Sequence, residues 1–136
     1  MKSKIQIIEL TRGMREDLFN MYAMYKNPEA NESRLYKDFV DVVEIDLKSI
    51  PFDNCYNMKD QELKDYLSIL TKDETKYGMV AHGKLIDGLH RVTSLKNDNK
   101  ESMLAVDVSK YINIAETGHI CEASYKPIKK NKFKNN

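Results

Sequence analysis

YGMVAHGKLIDGLHRVTSL, residues 77–95, is the stretch from which the fold is read. Tyr77 to Ala81 and Lys84 to Asp87 are two short apolar runs on either side of His82-Gly83, a pair suited to a tight turn, so a β-hairpin is predicted. Asp87-Gly88 then breaks the second run, and Val92 and Leu95 continue at helical spacing as far as the polar turn Lys96 to Lys100. The order is strand, glycine turn, helix. The first turn of a helix leaves backbone N–H groups unpaired at the positive end of the helix dipole, and an anion can settle there. Gly88 lets the main chain approach closely, His90 and Arg91 add a titratable donor and a permanent planar charge, and Thr93 and Ser94 offer hydroxyls one turn on. That set suits a phosphate. Asp87 is an acceptor that repels one, so it is read as a plain cap, as a partner for Arg91, as a ligand for magnesium, or as the base that takes a proton from a substrate hydroxyl.

Working outward, Ser102 to Val108 alternates through Leu104, Val106 and Val108 as a strand, and Ser109 is placed to cap a short helix through Ile112. Upstream, Val43, Ile45 and Leu47 alternate with Glu44, Asp46 and Lys48, the pattern of a strand with one buried face, closed by Ile50-Pro51. PFDNCYN, residues 51–57, reads as a loop, and Leu63, Tyr66, Leu67 and Leu70 as one side of a helix capped by Asn57 or Asp60. The N-terminal region differs in texture. KIQIIE is a short strand or extended arm, Thr11 offers a helix cap, and Met14, Leu18, Met21, Tyr22 and Tyr25 form the apolar stripe of a helix ended by Asn27-Pro28. This stripe is read as core. A second helix is expected over Ser33 to Asp41 through Leu35, Tyr36, Phe39 and Val40.

At 136 residues one domain is the default, with 41% hydrophobic and 32% charged residues and a mean hydropathy of −0.61. No run is long and apolar enough to span a bilayer, and the N-terminus lacks a signal-peptide core, so no membrane contact and a cytoplasmic location are expected. Cys55 and Cys121 suggest neither a disulfide framework nor a zinc knuckle, and His82, His90 and His119 show no ligand spacing, so no metal ligand is assigned. The net charge of +1 conceals an asymmetry: residues 126–136 hold five lysines and no acid, leaving 17 basic and 21 acidic residues elsewhere. The tail is read as a solvated, disordered end that could meet nucleic acid, while the acidic body argues against a broad DNA-binding face. The expected organisation is a helical extension over 1–42, a core over 43–125 and a basic tail over 126–136.

LIDGLHR followed by VTSL, an upstream strand ending in IP and a helix between them resemble the ParB/sulfiredoxin superfamily, in particular its ParB N-terminal-like members. VEIDLKSIP is similar to that family's opening strand, ELKDYLSIL to its first helix, residues 77–95 to its hairpin and box, and MLAVDVS to its closing strand. The likeness runs from about Val43 to Ser109, and only the box is specific. It implies an α+β fold, a small mixed sheet with helices, to which residues 1–42 add the helical extension. It also implies a nucleotide (ATP, ADP or CTP) or another phosphorylated small molecule with its phosphates on Gly88, His90 and Arg91. Leu89 stands where sulfiredoxins carry the catalytic cysteine, so sulfinic acid reduction by that route is unavailable. The second arginine motif and helix-turn-helix of the partitioning proteins are not found, so a DNA clamp is not expected. The DG-x-HR form looks like the superfamily's small-molecule kinases, which implies a carboxylate base from the loop after the first strand and magnesium beside the phosphates. Asp53 is preferred for that base because Glu44 and Asp46 share the solvent face of their strand, with Asp87 or Asp53 as magnesium ligand.

The leading expectation is therefore a phosphate-ligand domain that transfers or hydrolyses phosphate. The alternative is a non-catalytic interaction protein, contacting a protein or nucleic acid through the helical extension and basic tail. A nuclease would need clustered carboxylates for two metals, which cannot be assembled from this sequence.

Overall fold

The longest described strand carries apolar residues on both of its faces, and this sets the architecture. In the computed structural model, which describes residues 3–51, 65, 76–113 and 121–128, β2 runs over Phe39–Asp46. Its Val42 and Val43 point to opposite sides, and each is 2% exposed or less. A strand buried on one side only would show polar residues at alternate positions. Here Val40 and Val42 pack towards one layer of helices and Val43 and Ile45 towards another. The alternation read from Val43 to Lys48 holds, with Val43, Ile45 and Leu47 buried, Glu44 half-buried and Asp46 and Lys48 exposed, and it is shifted by one residue relative to Val40 and Val42.

Among the described residues seven strands form one sheet: β1 (Lys4–Gln6), β2, β3 (Gly78–Ala81), β4 (Lys84–Asp87), β5 (Ser102–Asp107), β6 (Cys121–Glu122) and β7 (Ser124–Pro127). Their order is β1-β2-β5-β3-β4-β6, and β7 pairs with β2 beyond the end of β1, along the same edge. Every pairing is antiparallel except β3 with β5. That parallel pair requires the chain to cross from the hairpin over one face of the sheet, and α3 (Leu89–Asn97) is the crossover. Helices α1 (Arg12–Tyr25) and α2 (Glu32–Lys37) cover the other face.

The hairpin, the helix after Gly88 and the strand from Ser102 match the expectation. His82 and Gly83 both have positive φ, 53° and 78°, as a two-residue hairpin turn with the strand's own twist demands. Thr11 caps α1 by accepting a hydrogen bond from Met14 N at 3.1 Å. The helix expected to run to Asp41 instead stops at Lys37. Asp38 turns extended, and Phe39, Val40 and Asp41 pair with Gln6, Ile5 and Lys4. Both patterns put Val40 in the core, but the ladder to β1 satisfies backbone groups that an isolated short helix would leave to water.

The segments expected to stand apart are also built into the sheet. The 42/43 boundary falls inside β2, and Met14, Leu18 and Leu35 share one apolar cluster with Met79 and Val106. At the other end Lys126 and Pro127 belong to β7, and Ile128 N donates to Val42 O, so the sheet takes up the first residues of the expected tail. The loop after Pro51, the helix expected over 60–70 apart from Asp65, and residues 129–136 lie outside the described residues. Among the described residues no helix is long and apolar enough to cross a membrane.

Candidate functional site

The β4–α3 junction is shaped by a bulge and two glycines. The β3–β4 register shifts between Met79 and Val80, which pair with Asp87 and Leu85, leaving Ile86 as the extra residue. A bulge rotates the strand beyond it. Asp87 thereby lines the same cavity as Ile86, on the α1 side of the sheet, although strict alternation would send the two to opposite faces. Gly88 then takes φ 108° and ψ 17° as the N-cap of α3, and among the described residues no side-chain hydrogen bond caps that helix. A Cβ on Gly88 would lie 3.0 Å from the Cα of Gly78, so the two backbones cross where neither tolerates a side chain.

Asp87 is half-buried, and its Oδ1 accepts the Gly88 N–H at 2.7 Å. Burial pushes its carboxyl above the ordinary value. The Gly88 hydrogen bond opposes that shift, Asp17 on α1 adds to it through like charge, and His90 opposes it. His90 moves the other way: burial lowers its pKa, and Asp87 partly offsets this. Asp87, Asp17, Asn20 and Met21 surround a cavity of about 260 Å³ floored by Met79 and Ile86.

Arg91 turns elsewhere. With Leu95, one helical turn on, it lines a second cavity of about 270 Å³, together with Lys76, Lys100 and Ser102. Its Nε is buried and has no hydrogen-bond partner among the described residues. Asp87 and His90 are thus electrostatically coupled, while Arg91 leaves the same turn for a different described cavity. Thr93 is 2% exposed and its hydroxyl donates to Leu89 O at 2.8 Å, so it serves the helix rather than solvent. Ser94 is half-buried on the turn after His90. Asp53 lies outside the described residues.

Four side chains join these cavities without a signal in the sequence that singles them out: Asp17 and Asn20 from α1, Lys76 before β3, and Lys100 after α3. No motif links them to DGLHR, and only the sheet order brings them there. Among the described residues no group of three or more His, Cys, Asp or Glu is placed to hold a metal. Comparison with known proteins matches the chain to no family model, no curated protein and no solved structure.

Proposed function

We propose that this chain is a ParB/sulfiredoxin-like domain that binds a nucleotide or another phosphorylated small molecule at the turn from β4 into α3. The observation that carries this reading is the junction itself: a left-handed glycine as N-cap, a helix start that no side chain caps, and Arg91 in the first turn with a buried Nε lacking any acceptor among the described residues. Helix-start backbone donors and, in the same turn of chain, a guanidinium without an acceptor favour an anion with several oxygens. The element order, from β2 to the β3–β4 hairpin, then Gly88, α3 and β5, is also the order that the superfamily resemblance implies.

In a phosphoryl transfer the same residues divide the work. The α3 amides hold phosphate oxygens at the turn, Arg91 holds others from the separate cavity it lines, and His90, whose pKa burial lowers, donates a hydrogen bond as the neutral imidazole. Asp87, whose proton affinity burial raises, takes the proton of an acceptor hydroxyl in the cavity beside α1. Magnesium commonly takes one or two carboxylates together with substrate phosphates and water. Asp87 and Asp17 with Asn20 fit that chemistry and would hold the ion, which when bound offsets phosphate charge.

Calorimetric titration with ATP, ADP and CTP, with and without magnesium, tests the reading. Binding in the micromolar to millimolar range is expected, and Arg91→Ala should weaken it by about tenfold or more, the worth of a charge-assisted hydrogen bond. No binding by the wild-type protein at millimolar ligand overturns it. The reading that would then stand is an interaction scaffold, favoured by the exposure of Met24 (68%) and Phe39 (62%) on the N-terminal side of the molecule.

A further inference from the structure

The cavity beneath Arg91 has a composition that the phosphate-binding turn does not explain. Lys76 precedes β3, Arg91 stands in the first turn of α3, Lys100 lies in the turn leading to β5, and all three line the same space of about 270 Å³. Among the described residues no carboxylate lines it. Nor, among those residues, does any of the three cations make an ion pair, although other lysines of this chain do: Lys4 with Asp41, Lys48 with Glu101 and Lys84 with Glu122. The contrast is informative because, outside the last eleven residues, acids outnumber bases by 21 to 17. Like charges drawn together repel one another, and the walls here include the apolar side chains of Leu95, Met103 and Leu104, which screen charge less than water does. Within this group the Arg91 Nε is a buried donor with no acceptor among the described residues. Ser102 adds a hydroxyl.

The cavity also borders the turn. Met103 Cε would lie 3.4 Å from a Cβ on Gly88 and 2.9 Å from one on Gly78, so one methionine forms a wall of the cavity and the support of the glycine crossing. A phosphate monoester offers one anionic group, too few to neutralise three cations. A chain of phosphates offers one group to the helix start and others to the lysines.

We propose that Lys76, Arg91 and Lys100 form an anion site that selects ligands bearing two or more linked phosphates over monophosphates. The proposal rests on the phosphate reading of the β4–α3 turn only through Arg91, which the two share. Lys76 and Lys100 determine the preference, while the turn supplies the first phosphate contact.

Titrate the full chain with tripolyphosphate, orthophosphate, AMP and ATP, using wild type, the Lys76→Gln/Lys100→Gln variant, and a Lys4→Gln/Lys37→Gln variant that removes the same charge elsewhere. Circular dichroism establishes that the folds are equal, and both pairs are exposed lysines. Wild type should bind tripolyphosphate at least about tenfold more tightly than orthophosphate. The Lys76/Lys100 variant should lose about tenfold for tripolyphosphate and ATP but little for orthophosphate and AMP, and the control variant should match wild type. Equal affinity for tripolyphosphate and orthophosphate, an equal loss in the control, or an undiminished Lys76/Lys100 variant overturns the proposal. ATP binding that survives unchanged in that variant removes the lysine site and leaves the turn reading standing. Lysine-dependent tripolyphosphate binding without any nucleotide binding does the reverse.

Discussion

Asp87 concentrates the chemistry of the junction in one side chain. Because burial raises its folded-state pKa above the ordinary 3.8, the fold favours the protonated carboxyl. The stability that this linkage contributes is whole below pH 3.8 and is lost as the pH rises through the folded value. Asp87→Asn keeps an Oδ1 to accept the Gly88 N–H and removes the charge. The variant should therefore melt near wild type at about pH 3 and a few degrees above it at about pH 7, followed by thermal circular dichroism across that range. A gap that stays constant, or closes as the pH rises, counts against buried charge as the cause. The same substitution should abolish phosphoryl transfer while leaving nucleotide affinity measured without magnesium largely intact. Asp87 is legible in the sequence because it ends an apolar run just before a glycine. Asp17 is not, since on α1 it reads as an ordinary solvent-facing acid, and only the bulge at Ile86 brings Asp87 round to it.

At the scale of elements, the hinge between β4 and α3 depends on Gly88. An alanine there would adopt φ 108°, which L residues avoid, and would place its Cβ 3.0 Å from the Cα of Gly78. Gly88→Ala should cost about 1–3 kcal/mol in urea unfolding, more than a substitution at Gly13, where an added Cβ meets nothing within 4 Å. Equal costs at the two glycines would mean that the crossing imposes no constraint. The strand, turn and helix around Gly88 are legible because each rests on local pattern: alternation, a two-residue turn and 3.6-residue spacing. Phe39-Val40-Asp41 reads wrongly as helix for the same reason. Three residues are too few to separate the two periods, and their partners Lys4–Gln6 lie more than thirty positions away.

Over the whole molecule, the N-terminal helices are one wall of a three-layer structure rather than an appendage. Leu18, with no exposed surface, packs in the cluster that holds Met79 and Val106 from central strands. Leu18→Ala should lower global stability by about 2–5 kcal/mol in a single cooperative transition. A separate early transition, with the sheet unfolding as in wild type, would restore the picture of an independent extension. From the sequence by itself came the α+β class, the hairpin, the glycine junction with Asp87, His90 and Arg91 close in the chain, and the core role of Met14 and Leu18 in the α1 stripe, because all of these are encoded within a few turns of chain. Which side chains share a cavity was decided only by the tertiary structure. Lys76 joins Arg91 and Lys100 because β3 pairs in parallel with β5, and Asp17 joins Asp87 because α1 covers the face towards which the bulge turns that strand. Sheet order is a sum of many weak apolar contacts between distant segments, and no short run of residues carries it.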